Sequence, residues 1–192
     1  MDNLGRARLP MPRGQSAFGP GGQTNVPFFL SNVVAIAGGV YHSLALTKSG
    51  TLSSWGRWTC LPAASNVLAI AAGYDYNLAL LSNGIAFECG SGFSRVVGGL
   101  SNAVAIAAGG DPSFANHSLA LRSNGTVFAW GDNTFGQSTV PAGLSNVIAI
   151  AAGRSHSVAL KSDGTIISWG ASGQTNLPRS LTDIVAVAAG GG

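Results

Sequence analysis

Short apolar runs and small polar turns alternate along the chain, and the alternation recurs. The run VVAIAGG from Val33 is apolar up to its closing glycines. A run of this length, bounded by Gly, predicts a strand covered on both faces. Its alanines (Ala35, Ala37; Ala69, Ala71, Ala72; Ala149, Ala151, Ala152 in the equivalent runs) keep it thin, as a crowded centre requires. HSLALTKSG follows, a second strand that turns at Ser-Gly; its equivalents turn at Asn-Gly or Asp-Gly, which supply the positive-φ residues of a tight hairpin. A third strand ends in Trp-Gly at Trp55, Trp130 and Trp169. The aromatic ring fills the gap between adjacent sheets, and the Gly permits a sharp exit. No segment shows a 3.6-residue apolar period of helical length, so the fold class is all-β.

The pattern is an internal repeat. SNVVAIAGG from Ser31, SNVLAIAAG from Ser65, SNAVAIAAG from Ser101 and SNVIAIAAG from Ser145 are successive copies, and TDIVAVAAG from Thr182 begins a fifth. Their starts lie 34, 36, 44 and 37 residues apart. An earlier unit leaves its tail as GQTNVPFFL from Gly22, giving four complete units and two partial ones. Antiparallel strands at this period predict a β-propeller, a radial array of four-stranded sheets. Residues 21–192 form the array, with units starting near 31, 65, 101, 145 and 182, and residues 1–20 read as a flexible basic tail. With only partial units flanking four blades, the expectation is an incomplete or open propeller.

The string GG-x-x-HSLAL-x-x-xG-x-x-x-WG-x-x-x-x-GQ resembles the repeat of the regulator of chromosome condensation family. Gly39–Gly56, Gly109–Gln137 and Gly153–Gln174 carry it closely, the second around an insertion. Gly73–Gly90 departs from it, with Tyr76 at the His position and Cys89 at the Trp position. Units this short are similar to those of bacterial members, one of which is a secreted propeller that inhibits β-lactamases. The resemblance implies a protein-binding scaffold. Its sharper forms are an inhibitor of a bacterial enzyme such as a β-lactamase, or a guanine-nucleotide exchange regulator.

Charge narrows the partners. The net charge of +3 comes largely from Arg6, Arg8 and Arg13 against Asp2, and from residue 21 onward seven basic residues face six acidic ones. Without clustered Lys and Arg there is no footprint for nucleic acid. No apolar run approaches the ~18 residues of a membrane span, and the N-terminus lacks the apolar core of a secretory signal. Cys60 and Cys89 lack the spacing of a disulfide framework or a zinc site. They read as two thiols, with Cys89 buried. Uncovered blade edges favour self-association.

Chemistry is sparse. His42, His117 and His156 occupy one place in three units, so a propeller puts them on different blades, whereas a metal needs ligands within about 2 Å of one ion. With Tyr76 they read as structural, making one hydrogen bond per blade to a turn backbone; Trp55, Cys89, Trp130 and Trp169 read as structural too. Ser43, Ser118 and Ser157 follow the ring residues but point to the opposite strand face. Asp132 and Asp163 suit turns, and GSGFSR from Gly90 lacks the third Gly of a nucleotide-binding loop. No catalytic, metal or cofactor residues are assigned, and an enzyme built around the central axis is the disfavoured alternative. Function is sought where units differ: Arg57 and Trp58 after the first Trp-Gly, Tyr74 and Asp75 in the second unit's turn, and Asp111 and Phe114 in the third unit's insertion. Aromatic and Arg side chains on loops are the residue types of binding hot spots.

Overall fold

The computed structural model describes residues 25–57, 60–61, 66–90, 93–113, 115–176, 181 and 183–190. The tail 1–20, Trp58 and Phe114 lie outside the described residues. Four antiparallel sheets follow one another, one per repeat. Blade 1 holds β1 (Val33–Gly38), β2 (His42–Thr47) and β3 (Leu52–Gly56). Blade 2 holds β4 (Val67–Ala72), β5 (Tyr76–Leu81), β6 (Ala86–Gly90) and β7 (Phe93–Val96). In blade 3 come β8 (Ala103–Gly109), β9 (His117–Arg122) and β10 (Val127–Gly131). Blade 4 is β11 (Val147–Ala152), β12 (His156–Lys161) and β13 (Ile166–Gly170), with a single 3-10 turn at Ser172–Gln174.

Among the described residues, three of the four blades have three strands rather than the expected four. Gly56, Gly131 and Gly170 leave their strands at φ of 106°, 99° and 113°, a left-handed turn that throws the chain off the sheet. Gly90 lacks that turn and pairs with Phe93, so the chain folds back and adds β7.

The inner strands are not covered on both faces. Each carries a β-bulge after its first residue, as in Val33↔Thr47 followed by Ala35↔Leu46. The residue left unpaired is a branched aliphatic: Val34, Leu68, Val104 and Ile148 are 55–61% exposed in all four blades. The recurrence makes this a feature of the repeat. The hairpins also differ from the expected turn. Thr47 N–H donates to Thr51 O and Gly50 N–H to Thr47 O, and Gly50 alone in the turn has positive φ. This is a three-residue loop ending in a glycine bulge.

Asn32, Asn66, Asn102, Asn146 and Asp183 begin each unit in the left-handed region, at φ of 53–65°. Asn and Asp tolerate that conformation best among residues with a Cβ. The turn aims the Asn32, Asn66, Asn102 and Asn146 carbonyls at the hairpin of the same blade, where they accept from Lys48, Ser82, Ser123 and Ser162 N–H. Residues 183–190 run beside blade 4 as the start of the next unit, and Arg154 N–H donates to Gly190 O at 3.3 Å.

The core lies between blades. Leu46 packs on Val67 and Ala79; Leu80 and Ala86 pack on Ala103 and Ala120; Leu119 and Leu121 pack on Val147, Ala159 and Trp169. Each fully buried Leu contributes about 2 kcal/mol by leaving water. The rear face of blade 1 is the exception: Ile36 is 79% exposed, while Ile70, Ile106 and Ile150 are half-buried against the preceding blade.

Candidate functional site

Two arrangements emerge once the blades stand side by side: seams that join them, and a mouth where the irregular turns converge. The seams absorb the recurring rings. His117 Nε2 lies 3.1 Å from Ser157 Oγ on the next blade, and Ser157 Oγ donates to Gln137 O at 2.9 Å. With its hydrogen committed to Gln137, Ser157 accepts from His117, which fixes the proton on Nε2. Tyr76 does the same one seam earlier: its hydroxyl donates to His117 O at 2.5 Å and lies 2.8 Å from Ser118 Oγ. At Tyr76 and His117 the ring's bond thus crosses to the next blade, at or beside the residue that follows the next ring.

A Cβ on Gly39, Gly73, Gly109 or Gly153 would meet the ring of His42, Tyr76, His117 or His156 within 2.6 Å. The repeat's glycine is thus the bed on which its ring lies. Burial dominates the titration of these rings. It holds His117 down to about 4 from 6.5, against the help of the His156 carbonyl, and it lowers His42 despite Asn77 and Asp75. The Tyr76 hydroxyl is pushed far up by the same burial.

A second set of bonds crosses each seam. Ser157 pairs with Trp169 across the ladder, and Trp169 Nε1 also donates to Gln137 O at 2.9 Å. Gln137 is fully buried; its Oε1 accepts from Phe135 N–H at 2.9 Å and its Nε2 donates to Asp132. One seam earlier, Ser118 and Trp130 are the ladder pair, and both donate to Glu88 Oε1 at 3.4 and 3.3 Å. Arg95 on β7 holds the other oxygen of Glu88 at 2.7 and 2.8 Å. In the first seam Asn77 Nδ2 donates to Cys60 O at 2.7 Å, and the ladder partner of Asn77 is Cys89. Gln137 and Glu88 escaped the sequence reading. The recurrence of Gly-Gln at Gly22, Gly136 and Gly173 was the signal for Gln137; a lone acid inside an apolar strand was the signal for Glu88.

The mouth lies where the inner strands end. The turns after β1, β4, β8 and β11 meet residues 189–190 around a cavity of ≈ 270 Å³, lined by backbone of Gly39, Gly73, Gly110 and Gly153 and by Tyr74 and Arg154. Tyr41 and Tyr74 meet edge to face at 5.9 Å, and the Arg57 guanidinium lies 5.8 Å from the Tyr41 ring. A hydroxyl bond to Tyr41 raises the Tyr74 pKa. Arg57 N–H donates to Tyr41 O at 2.8 Å, which fixes the exit of blade 1 to its own first turn.

Asp75 and Asp111 are buried beneath this surface. Asp75 accepts from Asn116 Nδ2 at 2.6 Å across the seam. Asp111 accepts from Ser113 N–H at 2.8 Å and from its hydroxyl, and pairs with Arg154 at 3.7 Å. These bonds keep the Asp111 carboxyl below its ordinary range. The structure thus brings Arg57 and Tyr74 together at the mouth and sets Asp75 and Asp111 below it as supports. Among the described residues no group of three metal-binding side chains occurs. No helix among them is long and apolar enough to cross a membrane.

Sequential antiparallel sheets packed face to face around a common cavity define a β-propeller. Within that class, residues 33–60, 115–137 and 147–174 match the regulator of chromosome condensation repeat. These three stretches, in blades 1, 3 and 4, carry the repeat of that family. The matched stretches end on Cys60, Gln137 and Gln174, and the first two of these are seam residues. No curated protein matches the sequence. Among solved structures, Prp20p from Saccharomyces cerevisiae, described with its binding to Gsp1p and histones, is 23% identical with a TM-score of 0.66, covering 82% of this chain and 53% of that one. The receptor kinase CR4 ectodomain from Physcomitrella patens is 23% identical with a TM-score of 0.61, over 82% of this chain and 45% of that one. Human WBSCR16 is 20% identical with a TM-score of 0.54, over 72% and 47%. The chain spans about half the length of these three solved chains.

Proposed function

We propose that this chain is a non-catalytic protein-binding module that engages its partner through the mouth formed by the turns after β1, β4, β8 and β11. The observation that carries the reading is convergence. Tyr41, Arg57, Tyr74 and Arg154 come from three different blades, and all four stand where their unit departs from the others. Scaffold residues recur; these do not. Aromatic and guanidinium groups seated on a rigid frame combine large contact area with small ordering cost. The binding of one structural neighbour, Prp20p, to Gsp1p and histones supports a protein as the partner class. Inhibition of a bacterial enzyme such as a β-lactamase, or guanine-nucleotide exchange, would each be a particular use of this contact.

A second reading rests on the opposite end. Val34, Leu68, Val104 and Ile148 form an exposed apolar series there, and exposed apolar patches mark interaction sites. Site-specific photo-crosslinking separates the two. A benzophenone residue at 74 or 154 is expected to capture a discrete protein, with none at the hairpin tips 83 and 124. Capture from position 104 in place of 74 and 154 would move the contact to the opposite end and overturn the proposal.

A further inference from the structure

Cys60 and Cys89 stand in the one seam where the usual bond is missing. In the other two seams an indole N–H reaches from the third strand to its acceptor, Trp130 to Glu88 and Trp169 to Gln137. In the first seam the third strand carries Cys89, which has no N–H to offer. The residue it faces across the seam is Cys60, at the repeat position of Gln137. Cysteine therefore stands on both sides of this joint.

The local geometry fixes the encounter. Asn77 Nδ2 holds the Cys60 carbonyl at 2.7 Å, and Asn77 and Cys89 are direct ladder partners. The Cys60 backbone is thus pinned beside the strand that carries Cys89. Burial, with Cys60 as a neighbour, pushes the Cys89 thiol well above the ordinary thiol range. Both are reduced in this structure; Cys89 is fully buried and Cys60 half-buried. The exposure is asymmetric, as a two-step exchange requires: one thiol open to a reagent, the other shielded and in reach of the first.

We propose that Cys60 and Cys89 form a disulfide that locks blade 1 to blade 2 when the chain meets a low-molecular-weight disulfide. Cys60 loses its proton and its thiolate attacks one sulfur of oxidised glutathione. The glutathione S–S bond breaks, one glutathione thiolate leaves and takes up a proton, and Cys60 holds a mixed disulfide. Cys89 then loses its proton and attacks Cys60 Sγ, expelling the second glutathione as a thiol. Two protein thiols are oxidised and one glutathione disulfide is reduced to two thiols, so electrons and protons balance.

The test uses the full chain, incubated with oxidised glutathione or with a reducing dithiol, then denatured and alkylated. The expected result is two alkylated cysteines after reduction and none after oxidation, a mass lower by two hydrogens, and a proteolytic peptide pair joining 60 to 89. The oxidised form should also resist urea, because closing this loop lowers the unfolding equilibrium constant by roughly 10²–10³-fold. In Cys89→Ser the reaction should stop with one glutathione on Cys60, and in Cys60→Ser it should leave Cys89 unmodified. A wild-type chain that accumulates a stable glutathione adduct, links to a second copy, or keeps both thiols would overturn the proposal.

Discussion

Acid should open the seam between blades 3 and 4, and His117 sets the size of the effect. Its ring is buried and held near pKa 4, whereas in the unfolded chain it titrates near 6.5. Because the folded value is the lower one, the unfolded chain binds more protons below pH 6.5, and stability falls as pH falls. The loss begins near 6.5 and levels off below about 4. Linkage puts it at about 2 kcal/mol by pH 5 and about 3 kcal/mol in full. Carboxylates titrate mostly below this window, near 4. Tyr76 supplies the control, since this chain already uses a tyrosine at the same position and its hydroxyl makes the same cross-seam bond. His117→Tyr should therefore fold and lose most of the slope between pH 7 and 5. The assay is the urea midpoint by tryptophan fluorescence at half-unit pH steps, with Trp169 as a reporter in that seam. A wild-type midpoint that stays flat to pH 5, or an equal slope in His117→Tyr, would refute the reasoning. His42, also lowered by burial, makes His42→Tyr a second probe in the same direction.

Asn146→Ala forces a Cβ residue without a polar side chain into the left-handed region at φ 57°, and should cost about 1–2 kcal/mol in thermal denaturation. Asn146→Gly should remain within about 0.5 kcal/mol of the parent. Gly109→Ala would place its Cβ 2.2 Å from Gly153 O and 2.6 Å from the His117 ring. Overpacking there should cost about 1–3 kcal/mol. Hydrogen exchange should also quicken at the Gly110 N–H, which donates to Gly153 O across the seam.

The repeat and the blade as its unit were legible, because each is written locally and several times. His42, Tyr76, His117 and His156 were read as hydrogen-bonding positions from their recurrence alone. What they bond to was not legible. Ser118 and Ser157 sit next to a ring in sequence, but each serves the ring of the preceding blade, some forty residues back. That partnership depends on how sheets stack, and no local pattern encodes stacking. The bulge that exposes Val34 and its equivalents was hidden for a related reason: an apolar residue reads as buried until its backbone pairing is known. Asp75 and Asp111 looked like surface residues of irregular turns, yet a buried carboxylate there takes up turn donors, the Ser113 backbone N–H at Asp111 and the Asn116 side-chain amide at Asp75.

Each seam joins unlike surfaces: a ring and its glycine on one side, and on the other a serine, or Asn77 in the first seam, with an indole or its substitute. Every unit of about 37 residues carries both halves, one on each face. Tandem duplication of such a unit therefore copies a complete joint with it. The inserted blade presents a serine to the ring behind and a ring to the serine ahead, and no existing residue needs to change. Blade number in this architecture is consequently free to drift by unequal recombination, while the rings, the glycines beneath them and the left-handed asparagines are held fixed.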